Sequence, residues 1–497
     1  MTGLQDPDFE SWLATQLRHS ATRMLASISP VTLVKHRPGF GQTVKAVAGA
    51  IVASPVLADW DPDPDYFFHW FRDSALVIDA LRSLHADALV GDEALRHLRD
   101  FVHFSLALTR LDGRSVAALP DRMAGVAPDF LQFMRDDADL ARAHGDAVAA
   151  ETRVNPDGTL DLSRWARPQH DGPPLRALAM LRWVAEGGLD GPALAEAAEL
   201  IRFDLAFTLR RARAPSYDIW EEELGHHYYT LRVSAAALAE GATWLAAQGH
   251  PAEAQRCRDE SQAILGLLDG YWVEGGVEGR IEGAAAGSGH YRSRRRPDGE
   301  YPVAKSLDIA VMLSAIHATE VPGAAHGVAD PRMQATLAQL DALFGALYPI
   351  NRGRAAGRGP AMGRYEGDVY HSGGPWYLAT LGAAEFCFRA ALLDGSASGA
   401  RDWFARGDAY LATVRAHTPA SGDLSEQFDP RTGEPTSAKH LAWSYAAFVS
   451  CERMRRAAAA AFIAPPRAGR CPPRPPAGAQ ENLGRPGVFL GWRSADE

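Results

Sequence analysis

Along the 497 residues, apolar positions recur every third and fourth place far more often than every second, the spacing of helices with one inward face. On that spacing helices are predicted at 9–28, from about residue 73, and at 93–111, 173–186, 191–212, 226–247, 252–270, 305–319, 331–348, 374–394, 398–416 and 437–461. Pro30 stops the first. Asp330 and Pro331 supply an N-cap and a first-turn proline to the ninth, with Met333, Leu337, Leu340, Phe344 and Leu347 as the stripe behind them. Strand signals are few. The class is all-α, and about twelve helices pair into six consecutive hairpins.

The connections fall into two kinds. Those after even-numbered helices are mostly short, such as GGLDG at 187–191 and AAQGHP at 246–251. Those after odd-numbered helices carry DYFFHWFRD, RWARPQHDG, IWEEELG, an Arg-rich stretch ending in GEYPVAK, GRYEGDVYHSGGPW and DLSEQFDPRTGEP. If the hairpins close into a ring, all six of these loops share one rim and surround one pocket. The connection that ends near Gly172 is long enough to imply function, with a helical piece near 130–134. From about Pro465 the composition turns to Pro, Gly and Arg, so 464–497 is expected to be a disordered tail and 1–463 one domain.

Charge narrows the partners. With 61 acidic and 51 basic side chains the net charge is −10, which argues against nucleic acid or an anionic membrane and suits a neutral polar substrate. The Arg292–Arg296 run then reads as a solvated loop. Cys257, Cys387, Cys451 and Cys471 lack metal-ligand spacing, so free thiols are expected, with no metal and no cofactor. Asp61, Asp63 and Asp65 alternate as in a calcium loop, but Tyr66 and Arg72 stand where that loop needs Gly and Glu. No apolar run reaches the roughly 18 residues of a membrane helix, and no basic–apolar leader opens the chain. The expectation is a soluble, cytoplasmic monomer.

The candidate chemistry centres on Glu221, Glu222 and Glu223 beside Trp220. Mutual repulsion and the exclusion of water by the indole are expected to raise the pKa of at least one of the three, and a carboxyl protonated near neutral pH is a general acid. A plainer reading puts the three in the first turn of a helix, complementing its dipole. The other odd loops add aromatics beside charged or amide side chains: Trp70, Arg72 and Asp73; Trp165, Arg167, Gln169 and Asp171; Arg364, Asp368, Tyr370 and Trp376. That mixture binds sugars, because C–H faces stack on rings while the polar groups pair with vicinal hydroxyls. Glu426, in the last odd loop, is the second acid candidate.

The segments PDYFFHWFRDSAL, RWARPQHDGPPLRALAM, YDIWEEELG, GRYEGDVYHSGGPW and LSEQFDPRTGEPTSAKHLAWSYAA resemble, in the same order, the motifs of glucoamylases, the inverting exo-acting α-glucosidases of glycoside hydrolase family 15. The resemblance covers roughly residues 45 to 455. It implies an (α/α)6 barrel with its site on the odd-loop rim, Glu221 as proton donor and Glu426 as the base that activates water. It also implies that Glu222 is a neighbouring substrate-binding carboxylate, that Tyr66, Arg72 and Asp73 hold the non-reducing glucose and stabilise positive charge, that Trp165 and Arg364 make further sugar contacts, and that Trp443 lies near the innermost subsite. An oligosaccharide or polysaccharide is the implied substrate. Acid and base should then stand roughly 6.5–9.5 Å apart, with room for a water.

Two departures stand out. Glu223 is a third acid where the family often has an apolar residue, and His371, Ser372 and Gly374 replace larger or amide side chains. The chain also reads as a bare barrel, without an N-terminal β-sandwich or a starch-binding module, which favours short soluble substrates. Three alternatives stay open: the same chemistry on an α-1,6-glucan or trehalose, a silent glucan-binding barrel, and a terpene-cyclase-like toroid, for which DDAD at 136–139 is a poor metal motif.

Overall fold

A computed structural model describes residues 7–59, 62–275, 289–318 and 325–463. The tail expected at 464–497, and Cys471 with it, lies outside the described residues. Twelve long helices carry the fold: α1 (Pro7–Leu25), α2 (Phe71–Ala86), α3 (Glu93–Leu108), α4 (Gly172–Glu186), α5 (Gly191–Arg211), α6 (Tyr228–Ala247), α7 (Pro251–Leu268), α8 (Ala310–His317), α9 (Pro331–Leu347), α10 (Tyr377–Leu393), α11 (Ala397–His417) and α12 (Ala442–Ile463).

The even-numbered helices form a closed inner ring. Each packs on the next, α2 on α4, α4 on α6, and so on to α12, which packs back on α2. Their sequences explain the position: α4 is buried without a break from Gly172 to Leu181 and α10 from Tyr377 to Phe388, apolar or small except for Arg176 and Glu385, which are ion-paired to Asp204 and Arg389. The odd helices lie outside and bury one stripe. In α7 it is Ala254, Cys257, Ser261, Ile264, Leu265 and Leu268, at the three-and-four spacing of an amphipathic helix.

Every inner helix begins where an odd loop ends, so six helix N-termini meet at one rim. Two begin five residues later than the pattern predicts, α8 at Ala310 rather than 305 and α12 at Ala442 rather than 437. The chain turns left-handed at Lys305 (φ 55°), Ser437 (φ 64°) and His440 (φ 52°), which holds those residues out of the helix. Short strand pairs brace the rim. His69–Trp70 pairs with Arg153–Val154, and Leu224–His227 lies between Ser216–Tyr217 and Arg294–Arg295. The arginine run is therefore not a solvated loop: Arg294 is buried and reaches Glu223 at 3.0 Å.

Candidate active site

At that rim lies a cavity of about 270 Å³. Tyr66, Trp70, Arg72, Asp73, Trp165, Glu221, Glu222, Arg364, Tyr370, Glu426 and Trp443 all line it, joined by Trp220 and Trp376. Five of the six odd loops reach the cavity, while Lys305 and Asp308 of the remaining one stand behind Glu222 and Trp220. A larger cavity, about 340 Å³, opens towards the C-terminal halves of the inner helices between the Arg82–Asp79–Arg182 cluster and the Arg389–Glu385 pair. Trp443 borders both and forms the partition.

Glu221 sits on a tight turn. Its φ is 65°, unusual for a residue with a side chain, and its N–H donates to the Asp218 carbonyl at 3.0 Å. The Asp218 carboxylate gathers the N–H groups of Trp220, Glu222 and Glu223 at 2.8, 3.2 and 3.0 Å, which fixes the turn. The three glutamates thus do not open a helix. Nor do they crowd one another, because Glu221 faces donors of its own while Glu222 and Glu223 share Lys305 between them. Glu221 Oε1 accepts from Trp70 Nε1 (2.8 Å) and Arg72 Nη2 (3.1 Å), and Oε2 accepts from Trp165 Nε1. Glu222 takes Arg364 (2.9 Å), Lys305 (2.6 Å) and the Tyr365 hydroxyl. Glu223 takes Arg294 (3.0 Å) and Lys305 (3.1 Å).

For Glu222 the electrostatics run opposite to a rise. Burial pushes Glu222 up, but Arg364, Lys305 and Tyr365 outweigh it and the net shift is downward. Glu426, 3% exposed, is driven up by burial to about 7 against the pull of Ser437, Arg364 and Tyr66. Its Oε1 accepts from the Tyr66 hydroxyl at 3.1 Å and its Oε2 from Ser437. Tyr66 in turn meets the Tyr370 hydroxyl at 2.6 Å.

Behind the indoles lies a buried ion network. Arg153 stacks over Trp165 (3.5 Å), Phe68 (4.0 Å) and Trp70 (4.9 Å), and its Nε donates to Asp161 at 2.9 Å. Arg167 belongs here and not to the cavity wall, a correction to its expected place among the sugar contacts. Its guanidinium is taken by Glu151 (2.5 Å), Asp161 (3.2 Å) and the carbonyl of Trp165 (3.4 Å). On the floor, Arg72 Nη1 and Asp171 Oδ2 face each other at 3.6 Å, beyond hydrogen-bond reach, and neither has another such partner among the described residues. Buried groups left in that state are suited to a hydroxyl that donates to one and accepts from the other.

Sequence reasoning passed over Ser437, Tyr365, Lys305 and Asp308. Ser437 and Asp308 carried no local signal. Lys305 and Tyr365 stood inside quoted loops, but their partner Glu222 lies 83 and 143 positions away. Among the described residues no group of acidic, His and Cys side chains is arranged to hold a metal ion, and no helix is long and apolar enough to cross a membrane.

The closed helical ring holds an aromatic, carboxylate-lined cavity, and the family match makes the protein a glycoside hydrolase. Residues 39–453 match the family described as Glycosyl hydrolases family 15, and the chain belongs to that family. It is 27% identical to the glucoamylase of Neurospora crassa over 94% of this chain and 73% of that one. Its identity to glucoamylase P of Amorphotheca resinae is 28%, over 91% and 71%. The solved structure of Hormoconis resinae glucoamylase superposes with a TM-score of 0.69 at 26% identity, covering 90% of this chain and 74% of that one.

Proposed function

We propose that this hydrolase is an inverting, exo-acting α-glucosidase that releases β-D-glucose from the non-reducing ends of malto-oligosaccharides or related α-glucans. Glu221 protonates the glycosidic oxygen and Glu426 takes a proton from the attacking water. The observation that carries the reading is the placement of the two carboxylates in one cavity. No hydrogen bond joins them, and Trp70 and Tyr66, whose rings are 5.1 Å apart, stand between the groups they hold. A base near pH 7 is well matched to removing a proton from water. Action on chain ends is supported by the floor, where Arg72, Asp73 and Trp443 close the cavity against the barrel axis. Arg72 and Asp73 hold the terminal glucose, Trp165 and Tyr370 flank it, and Glu222 and Arg364 bind hydroxyls nearer the leaving group.

The test is the anomer released. Proton NMR in the first minutes of maltose hydrolysis should show β-glucose, before mutarotation mixes the forms, and α-glucose first would overturn the inverting mechanism. Maltose, isomaltose and trehalose run side by side separate the α-1,4, α-1,6 and α,α-1,1 preferences.

A further inference from the structure

Among its described residues, the rim loop 269–309 contributes no side chain to the cavity wall, yet it ends in an acid that no sequence motif singles out. Asp308, 4% exposed, precedes α8 and accepts the N–H of Ala310 at 2.8 Å. Both its oxygens also face Trp220 Nε1, Oδ2 at 3.0 Å and Oδ1 at 3.2 Å. Its backbone bridges to Tyr365, and Ile309 N–H donates to the Arg364 carbonyl at 3.0 Å. One residue thus touches the loop of Glu222's partners through its backbone and the loop of Glu221 through its side chain.

A helix cap alone does not require a carboxylate here. Ser, Thr or Asn caps as well, and a buried charge is costly unless it is paired. No lysine, arginine or histidine lies within salt-bridge distance of Asp308 among the described residues, and burial pushes it up to about 7. What the carboxylate adds over a neutral cap is a second oxygen, and that oxygen holds an indole. Trp220 lines the cavity, packs on Trp376 with centroids 5.3 Å apart, lies 5.4 Å from the Arg364 guanidinium, and immediately precedes Glu221 on its left-handed turn.

We infer that Asp308 is a positioning residue for hydrolysis, acting solely through the N–H of Trp220 to fix the cavity wall beside Glu221. The inference builds on the role proposed for Glu221, and its test separates the two.

Asp308→Asn isolates the contact. Its oxygen can remain on Ala310 N–H, where it still faces Trp220 Nε1 at 3.2 Å, while its amide nitrogen takes the place of Oδ2 on the shorter contact, donor against donor, so the cap survives and the indole is pushed off its 3.0 Å position. Displacement of a group beside the reacting centre by about 1 Å costs up to roughly 100-fold, so kcat/KM should fall between about tenfold and 100-fold with little loss of thermal stability. Trp220→Phe removes the N–H. In that background Asp308→Asn should cost no more than about twofold, since coupled residues are not additive. An equal cost in both backgrounds would show a structural role and overturn the inference, as would wild-type kcat/KM in Asp308→Asn.

The readout independent of catalysis is the indole N–H spectrum of protein labelled with 15N-tryptophan. The Trp220 peak is assigned by its loss in Trp220→Phe and should move in Asp308→Asn. An unmoved peak sinks the positioning role whatever the activity. A moved peak in a protein that cleaves none of the three disaccharides leaves the positioning contact standing and removes the proposed function instead.

Discussion

The phenol of Tyr66 stands 3.1 Å from Oε1 of Glu426 and supplies one of the two hydroxyl donors on that carboxylate. Burial pushes Glu426 up, and the Tyr66 bond is among the interactions that pull it back. Tyr66→Phe should therefore raise the pKa of Glu426 further. A base must be ionised to act, so the acidic limb of the kcat/KM profile should move to higher pH. Activity at pH 5 should fall roughly tenfold or more, since a hydrogen bond to a charged group contributes about 1.5–3 kcal/mol. An acidic limb that stays in place would detach it from Glu426.

Glu426→Gln keeps the side chain's size but cannot accept a proton, and should lose about 10² to 10⁴-fold in kcat. Its stability carries a second signature. The folded-state pKa of about 7 lies above the ordinary 4.5 of a glutamate, so the native state holds the extra proton between those values. The contribution is fully present below pH 4.5 and is lost as pH rises through 7, about 3 kcal/mol in all at 1.36 kcal/mol per unit. Urea unfolding at pH 4 and pH 8 should show the Gln variant gaining that much on wild type. An equal difference at both pH values would place the pKa near its ordinary value.

Arg167→Ala tests the corrected place of that arginine. Glu151 keeps Arg135 at 3.0 Å and Asp161 keeps Arg153 at 2.9 Å, so no buried carboxylate is left without a cation. The expected loss is about 1–3 kcal/mol of stability, with KM changed less than roughly threefold. A large rise in KM at unchanged stability would return Arg167 to the sugar contacts.

Arg364, 2% exposed, reaches Asp368 through Nε at 2.7 Å and Glu222 through Nη2 at 2.9 Å. Lysine keeps the charge but cannot serve both through a planar fork. Arg364→Lys should raise KM for maltose about tenfold or more. Steady-state kinetics with KM unchanged would show that the fork geometry is not needed.

The helices were legible because burial imposes a period, and the period survives in any single stretch, as in Met333 to Leu347 of α9. The cavity wall was legible too, since each loop advertised its aromatics and charges. What failed depended on distance in space. Arg167 looked like a sugar contact until Glu151 and Asp161 took its guanidinium. The three adjacent glutamates looked crowded until a left-handed φ at Glu221 sent them to different partners. The late starts of α8 and α12 went unseen because Lys305, Ser437 and His440 adopt positive φ without being glycine.

The inner ring is closed by its first and last members, α12 against α2, and the proposed base stands just before α12. On the ribosome, where earlier segments emerge first, ten or eleven helices leave the tunnel before the barrel has its final stave. Until then α2 and α10 each have an apolar flank without its neighbour, and Glu426, already synthesised ahead of α12, has no closed rim on which to face Glu221. Closure must join segments more than 350 residues apart, a contact among the slowest to form. Nascent chains therefore become complete barrels and competent catalysts in the same late event, and a chain truncated before Ala442 has neither property.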